Sequence, residues 1–408
     1  MRYVILGASA AGINAAITIR TLDKDAKILI VSKDDKVYSR CMLHHIIGKK
    51  KSIEETSFIE EAFFEKHHIE WLKGKTVINI NTNKKQVVFG DGCPINYDKL
   101  LIATGASASI PPIKNLKESR GVFTLRNIED AIGIDKRVEN AESVVIIGAG
   151  LVGIDAAVGL LERGLKVSIV EMSDRILQLQ LDKRASSRYE KLLKEHRVTI
   201  YTKTSVSEAV IGDDGFIKAL KLNNGLEIPC SMAIVATGVK PSISFLNNTG
   251  IQFETGIIIN DKCETSIKDI YAAGDVCGRI GIWPLAVKQG ITAAYNMTGN
   301  KRILDDNFGF KNTMNFFGLE TVSLGVTYAP DSSYQVRIIE SDKVYKKIIH
   351  KNGIIYGAVL QGDISYCGVL AQLIKTKIDI SSINKDIFHI SYADFFVVAE
   401  NGEYKYNA

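Results

Sequence analysis

One cysteine, Cys41, stands directly after Arg40 and three and four positions before His44 and His45 in the run YSRCMLHHIIG. A thiol at the start of a helix and beside a guanidinium ionises more readily, because helix N-terminus and cation both favour the thiolate. Ser39 occupies an N-cap position ahead of the helical pattern CMLHHII, so both histidines fall on the sulfur's face. A thiolate so placed can cycle through a sulfenate or a mixed disulfide. The other reading is a small packing residue that never turns over, and this stretch alone leaves both open. A closed zinc site needs four ligands, and no further Cys/His cluster supplies them, so no metal is expected. His67 and His68 fall in EEAFFEKHHIEW, which reads as an amphipathic helix with a solvated face.

The elements that must position Cys41 come from an internal repeat. YVILGASAAGINAAITIR…AKILIVSKD and SVVIIGAGLVGIDAAVGLL…LKVSIVEMS each give a β-branched strand, a glycine turn, a small-residue helix and a second apolar strand. Downstream, VVFGDGCPINYDKLLIATG and LKLNNGLEIPCSMAIVATG each give a hairpin and an apolar strand ending in Ala-Thr-Gly. Asp91-Gly92 and Asn224-Gly225 supply residues suited to type I′ turns. The separations Gly92 to Gly105 and Gly225 to Gly238 are both 13 positions, and Gly7 to Gly148 and Gly105 to Gly238 are 141 and 133. Two copies of one dinucleotide-binding unit imply two dinucleotides.

The second glycine turn is the sharper. Gly148, Gly150 and Gly153 form G-x-G-x-x-G after a strand and at the start of a helix, where the helix N-terminus faces a pyrophosphate. Glu171, 23 positions after Gly148, accepts hydrogen bonds from ribose hydroxyls and repels a 2′-phosphate, so NADH is expected in preference to NADPH. In the first turn, GASAAG, Ser9 stands at the middle glycine and Ser32 at the strand-end acid. Ser32 can still exchange a hydrogen bond with a ribose hydroxyl.

The chain's 408 residues allow two or three domains, and 46% hydrophobic with 24% charged residues is an ordinary globular composition. A net charge of +5 without a basic block gives no sign of nucleic acid and mildly favours an acidic partner. Six scattered cysteines suit a reducing compartment, and a cytoplasmic location is expected. The two apolar stretches hold glycines or Asp155, so neither reads as a membrane span. After residue 310 the pattern changes to a hairpin around Asn352-Gly353, a helix SYCGVLAQLIKTKI and the aromatic SYADFFVV, read as interface or core.

Taken in order, GASAAG, YDKLLIATGA, FTLRNIEDA, GAGLVG…VEM, IVATGVKP, ETSIKDIYAAGD and WPLAVKQGITAAYNMTG resemble the pyridine nucleotide–disulfide oxidoreductase superfamily over essentially the whole chain. The resemblance implies an α/β protein with two Rossmann-like dinucleotide-binding domains and a small α+β C-terminal domain. FAD would occupy residues 1–112 and 242–310, NADH residues 113–241, and residues 311–408 would cover the flavin site and often mediate dimers, so a homodimer is one expectation. Carried over by motif, the FAD residues are Gly7, Ser9, Ala10, Ala11, Gly12, Ser32, Lys33, Arg40, Cys41, Val77, Ala103, Thr104, Gly105, Arg126, Gly274, Asp275 (on the ribitol) and Trp283. The NAD residues are Gly148, Gly150, Leu151, Val152, Gly153, Asp155, Glu171, Met172 and Gly238.

WPLAVKQGITAAYNMTG is most similar to the rubredoxin reductase and nitrite reductase flavoprotein group. In rubredoxin and ferredoxin reductases the residue after the arginine is proline. In NADH oxidases, NADH peroxidases and coenzyme A disulfide reductases it is a single cysteine, as at Cys41. The paired C-x-x-x-x-C is absent, and Ala10 replaces a histidine that peroxidases carry in the first turn. Where ferredoxin-type reductases pair a lysine with a glutamate, this chain has His45 and Asp155. The implied activity is FAD-dependent NADH oxidation with a small redox protein or small-molecule acceptor. A rubredoxin-like iron–sulfur protein is the first expectation, Cys41-dependent reduction of disulfide, persulfide or peroxide the second, and an electron-input subunit or redox sensor the third.

Overall fold

The computed structural model describes residues 1–278, 281–305 and 311–406. The expected domain boundary at 310 lies outside them.

The repeat in the sequence is a repeat of topology. In the first half the parallel sheet runs, in spatial order, Ile270–Ala272, Lys99–Ile102, Arg2–Leu6, Lys27–Val31, Ile69–Leu72. In the second it runs Val122–Thr124, Met232–Val235, Ser143–Ile147, Lys166–Val170, Thr199–Tyr201. These strands are nearly continuous in Val, Ile and Leu because helices cover both faces of a parallel sheet. Each half also carries a three-stranded antiparallel sheet, Val77–Asn96 between strands Ile69–Leu72 and Lys99–Ile102, and Val206–Pro229 between Thr199–Tyr201 and Met232–Val235. The chain leaves the first half, builds the second, and returns at Ile270–Ala272 to complete the first sheet.

The hairpin turns differ from expectation in detail. Asn352 and Gly353 both have positive φ and join Lys351 to Ile354 in the expected type I′ geometry. At Asp91-Gly92 and Asn224-Gly225 only the glycines have positive φ, so these are longer loops rather than two-residue turns. EEAFFEKHHIEW also departs from the helix read there. The helix is only Phe63–Lys66, and His68, at φ 48°, turns the chain into the strand Ile69–Leu72 because that strand completes the sheet edge.

The C-terminal part is a five-stranded antiparallel sheet with the helix Cys367–Thr376 against it. Its inner face docks on the second-half helix Lys183–Glu195. There the Tyr189 hydroxyl donates to the Leu319 carbonyl at 2.6 Å. Asp182, the N-cap of that helix, is 4% exposed and accepts from Ala185 N–H (3.0 Å), the Tyr345 hydroxyl (2.7 Å) and Lys347 Nζ (2.7 Å). Those three donors hold its carboxyl below the usual range against the opposing effect of burial. The SYADFFVV segment splits: Phe395 is buried, while Tyr392, Phe396, Val397 and Val398 are exposed.

Candidate functional site

A cleft of about 690 Å³ runs along the first half. The first glycine turn, residues within 31–41, 75–77, 103–107 and 126–129, and Ala273, Gly274, Asp275, Gly281, Trp283 and Ala286 line it. Every FAD residue expected from the sequence lines this cleft except Gly12, which lies beneath it. A side chain at Gly12 would overlap the Gly7 carbonyl, and one at Gly7 the Ala103 carbonyl, so both glycines let helix, turn and strand close together. Ser9 caps the helix Ala10–Leu22 in extended conformation with no side-chain bond, leaving the first-turn N–H groups for an anion. The cavity's size and this donor set fit a dinucleotide.

The second turn repeats the arrangement. Side chains at Gly148 and Gly153 would overlap the Ala236 and Gly148 carbonyls, whereas one at Gly150 would meet nothing within 4 Å. Open space therefore stands before the N-terminus of the helix Leu151–Leu161. Glu171 is held ready, its two oxygens accepting from Ala149 N–H and Ser173 N–H at 2.7 Å each. Met172 (76% exposed) and Val152 (45%) stand open beside it, and Gly238 has φ 97°. These residues fit a second dinucleotide.

Ser32 differs from expectation. Its buried hydroxyl donates to the Asp34 carbonyl (2.7 Å) and accepts from Trp71 Nε1 (2.8 Å), so it can only accept one further bond. Asp275 Oδ2 accepts from Arg126 Nη2 at 2.7 Å, and Arg126 Nε donates to the Ala106 carbonyl at 3.0 Å. Trp283 packs edge-on against Phe58, with ring centroids 4.8 Å apart.

Around Cys41 three expectations are corrected. Arg40 does not serve the sulfur. Its Nη1 donates to the Tyr38 hydroxyl (2.6 Å), Asn127 Oδ1 (2.6 Å) and the Arg126 carbonyl (3.0 Å), and its Nη2 pairs with Asp34 at 2.6 Å. No full helix starts at Cys41: residues Arg40–Met42 form a 3₁₀ turn ahead of the five-residue helix Leu43–Ile47, too short to supply much dipole. The thiol is accordingly raised above its ordinary pKa. Burial of much of its surroundings outweighs a hydrogen bond from Ser39, and the nearby Asp155 and Asp275 oppose Arg126. The sulfur is nonetheless open to the cleft.

The third correction concerns the histidine beside Asp155. His44, not His45, faces it, with His44 Nδ1 3.9 Å from Asp155 Oδ2. The two imidazoles lie with centroids 3.9 Å apart, and His45 Nδ1 is buried without a partner. Burial pushes Asp155 up to about 7, although 28% of its side-chain surface remains open, because its helix is otherwise apolar. Burial, with His45 and Lys50 beside it, holds His44 down to about 4.

The clamp of Tyr38, Asp34 and Asn127 on Arg40 was not read from the sequence. Only N-x-x-D at Asn127–Asp130 signals it, as the capping box of the helix Ile128–Val138. Gln289 was missed as well. It is 1% exposed and accepts from the Gly274 N–H at 2.8 Å, bracing the turn that presents Asp275. A buried amide in an apolar helix was the available clue. Among the described residues there is no group of metal-ligating side chains and no helix long and apolar enough to cross a membrane.

Two cradles of one topology, one above a lone cysteine, define a two-dinucleotide oxidoreductase. Residues 1–290 match the pyridine nucleotide-disulphide oxidoreductase family, and residues 311–378 match the rubredoxin NAD+ reductase C-terminal domain. The chain belongs to the pyridine nucleotide-disulphide oxidoreductase family, whose members are FAD- and NADH-dependent oxidoreductases. It is 31% identical over 369 residues to the NADH-rubredoxin oxidoreductase of Clostridium acetobutylicum, covering 89% of this chain and 92% of that one. It is 29% identical over 395 residues to the NADH-dependent phenylglyoxylate dehydrogenase subunit epsilon of Aromatoleum evansii, covering 94% and 93%. A NAD-dependent persulfide reductase from A. fulgidus has a similar structure (TM-score 0.85, 28% identity, 95% of this chain and 79% of that one). Against two longer relatives the chain spans about half of their length.

Proposed function

We propose that this protein oxidises NADH and passes the electrons, through FAD, to a small one-electron redox protein. FAD would lie in the first-half cleft and NADH against the second glycine turn, in the residues named for each. The domains are then 1–112 with 242–310, 113–241, and 311–408, a division supported by the return of strand Ile270–Ala272 to the first sheet. Bound NADH supplies a hydride, and FAD accepts it and can release electrons singly.

The chain's own residues bind and orient. The two helix N-termini would hold the pyrophosphates, Glu171 the ribose hydroxyls, and Asp275, whose turn Arg126 and Gln289 brace, the ribitol.

The observation that carries this choice of acceptor is the state of Cys41. A redox thiolate needs its pKa lowered and a base to take its proton. Here burial and two carboxylates raise the thiol, and the adjacent imidazole of His44 is held down to about 4. Both shifts run against a thiolate–imidazolium pair, and the cleft lining holds no second cysteine. The match of residues 311–378 to the rubredoxin reductase C-terminal domain supports the same acceptor class. A second reading, an electron-input subunit of a larger complex, draws support from the full-length match to a dehydrogenase subunit.

Anaerobic NADH titration tests the proposal. Purified protein takes up two electrons per flavin with no thiolate–flavin charge-transfer band, and Cys41→Ser reduces a one-electron acceptor at the unaltered rate. Uptake of four electrons with that band, or loss of acceptor reduction in Cys41→Ser, would overturn it.

A further inference from the structure

When a hydride donor feeds two one-electron acceptors, one proton is left over: NADH + 2 A(ox) → NAD⁺ + H⁺ + 2 A(red). That proton originates at the bottom of the cleft and must reach solvent. Cys41, Asp275 and Arg126 are among the titratable groups that line it, and Asp155, outside the lining, lies close enough to Cys41 to raise its thiol.

We propose that Asp155, His44 and His45 form a proton path from the cleft floor to the protein surface beside Glu162. The inference rests on the one-electron reading above and extends it. Three features of the geometry carry it. Asp155 Oδ2 faces His44 Nδ1 at 3.9 Å, one small side-chain adjustment from a hydrogen bond. The His44 and His45 rings stand 3.9 Å apart at a 44° tilt. His45 Nδ1 is buried and has no partner, an arrangement that costs free energy unless something uses the atom. Beyond His45 the chain reaches water: Lys50, Lys51 and Glu162 surround it, and Lys50 pairs with Glu162 at 2.7 Å with both side chains exposed.

The transfers balance. The proton first forms an O–H bond on Asp155. That bond breaks as the proton passes to His44 Nδ1, and His44 releases a proton from its other ring nitrogen to His45 Nδ1. His45 then releases one from its far nitrogen to solvent. Each imidazole ends neutral but in the opposite tautomer, and a ring flip resets it before the next proton. Asp155 holds a proton near neutral pH, and His44 conducts without storing one. The backbone of the segment is held in place, so only side-chain rotations are needed to join these groups. Gly48 and Gly159 let the backbones approach closely, and Asp135 joins Lys49 (2.5 Å) and Arg163 (2.7 Å) across the two halves.

The flavin-loaded protein, NADH and ferricyanide, a one-electron probe that takes up no proton, provide the test. Stopped-flow separates bleaching of the flavin by NADH from its reoxidation, and an indicator dye follows proton release. In His45→Gln and His44→Gln, reoxidation and proton release slow together at least about tenfold, bleaching stays within twofold, and added imidazole restores the rate. By NMR of the oxidised protein, His45 ring signals follow the titration of Asp155 and lose that step in Asp155→Asn. If both glutamine variants reoxidise at the wild-type rate and His45 ignores Asp155, the path is wrong while the electron-transfer reading stands. If NADH does not bleach the wild-type flavin, the electron-transfer reading itself fails.

Discussion

Strands Arg2–Leu6 and Lys27–Val31 of the first half pair in the same five-step register as Ser143–Ile147 and Lys166–Val170 of the second. Yet the chain that follows Lys27–Val31 does different work from the chain that follows Lys166–Val170. In the first half, residues 32–68 carry Arg40 and Cys41 into the cleft and His44 to Asp155. In the second, residues 171–198 carry the helix Lys183–Glu195, on which the C-terminal sheet docks. The two halves share the glycine turn, where close backbone approach leaves no freedom. They diverge in a connection whose length the sheet does not constrain.

The sharpest way to break this parallel is at the buried glycines. Gly12→Ala and Gly153→Ala each force a methyl group against a carbonyl oxygen of the turn, so each should cost more than about 4 kcal/mol. The first should yield colourless protein and the second flavin-loaded protein that no longer binds NADH, read by absorbance and by titration. Tolerance of either would show that the two turns are not built alike.

The divergent connection gives the next effect. Lys347→Met leaves the Asp182 carboxylate buried with its cation removed, and about 3–5 kcal/mol of stability should be lost in urea unfolding. Flavin content should be unchanged, since nothing equivalent touches the first half.

Asp155→Asn should act in the opposite direction. The folded state raises this carboxyl to about 7, so it binds more protons than the unfolded chain between roughly pH 4 and 7. Stability therefore falls as pH rises through that window, and the full penalty stands above pH 7. The asparagine variant should be about 2–4 kcal/mol more stable at pH 8 and little changed at pH 4, measured by thermal unfolding at both.

Smaller still is Gly150→Ala, which has room for its methyl group, so the melting temperature should hold. The methyl group would stand where the pyrophosphate approaches, and KM for NADH should rise about tenfold. Ser9→Gly, the converse change in the first half, should alter flavin affinity by less than about threefold, because the Ser9 side chain makes no cap bond.

Much of this was legible in the residues. Glycine turns, strand runs and the Asn352-Gly353 hairpin are set by short-range sterics, which spacing records directly. The residues of the cleft lining were carried over by motif from the family resemblance, and the repeat alone marked only its glycine turn. The histidine beside Asp155 was not legible. Positions 44 and 45 differ by 100° around a helix, and a 3₁₀ turn rotates the start of this one by an amount no local pattern encodes. Arg40 was misjudged for a related reason. Its partners Asn127 and the Arg126 carbonyl lie more than eighty residues away, so sequence proximity to Cys41 said nothing about where its guanidinium would go.

The late return of Ile270–Ala272 to the first sheet has a consequence for how the molecule is made. A ribosome releases every strand of the second parallel sheet by Val235, whereas the first must wait for a partner made some 170 residues after Leu100–Ile102. The second half can thus mature while its older twin is still an open-edged intermediate, and a chaperone would find its client there.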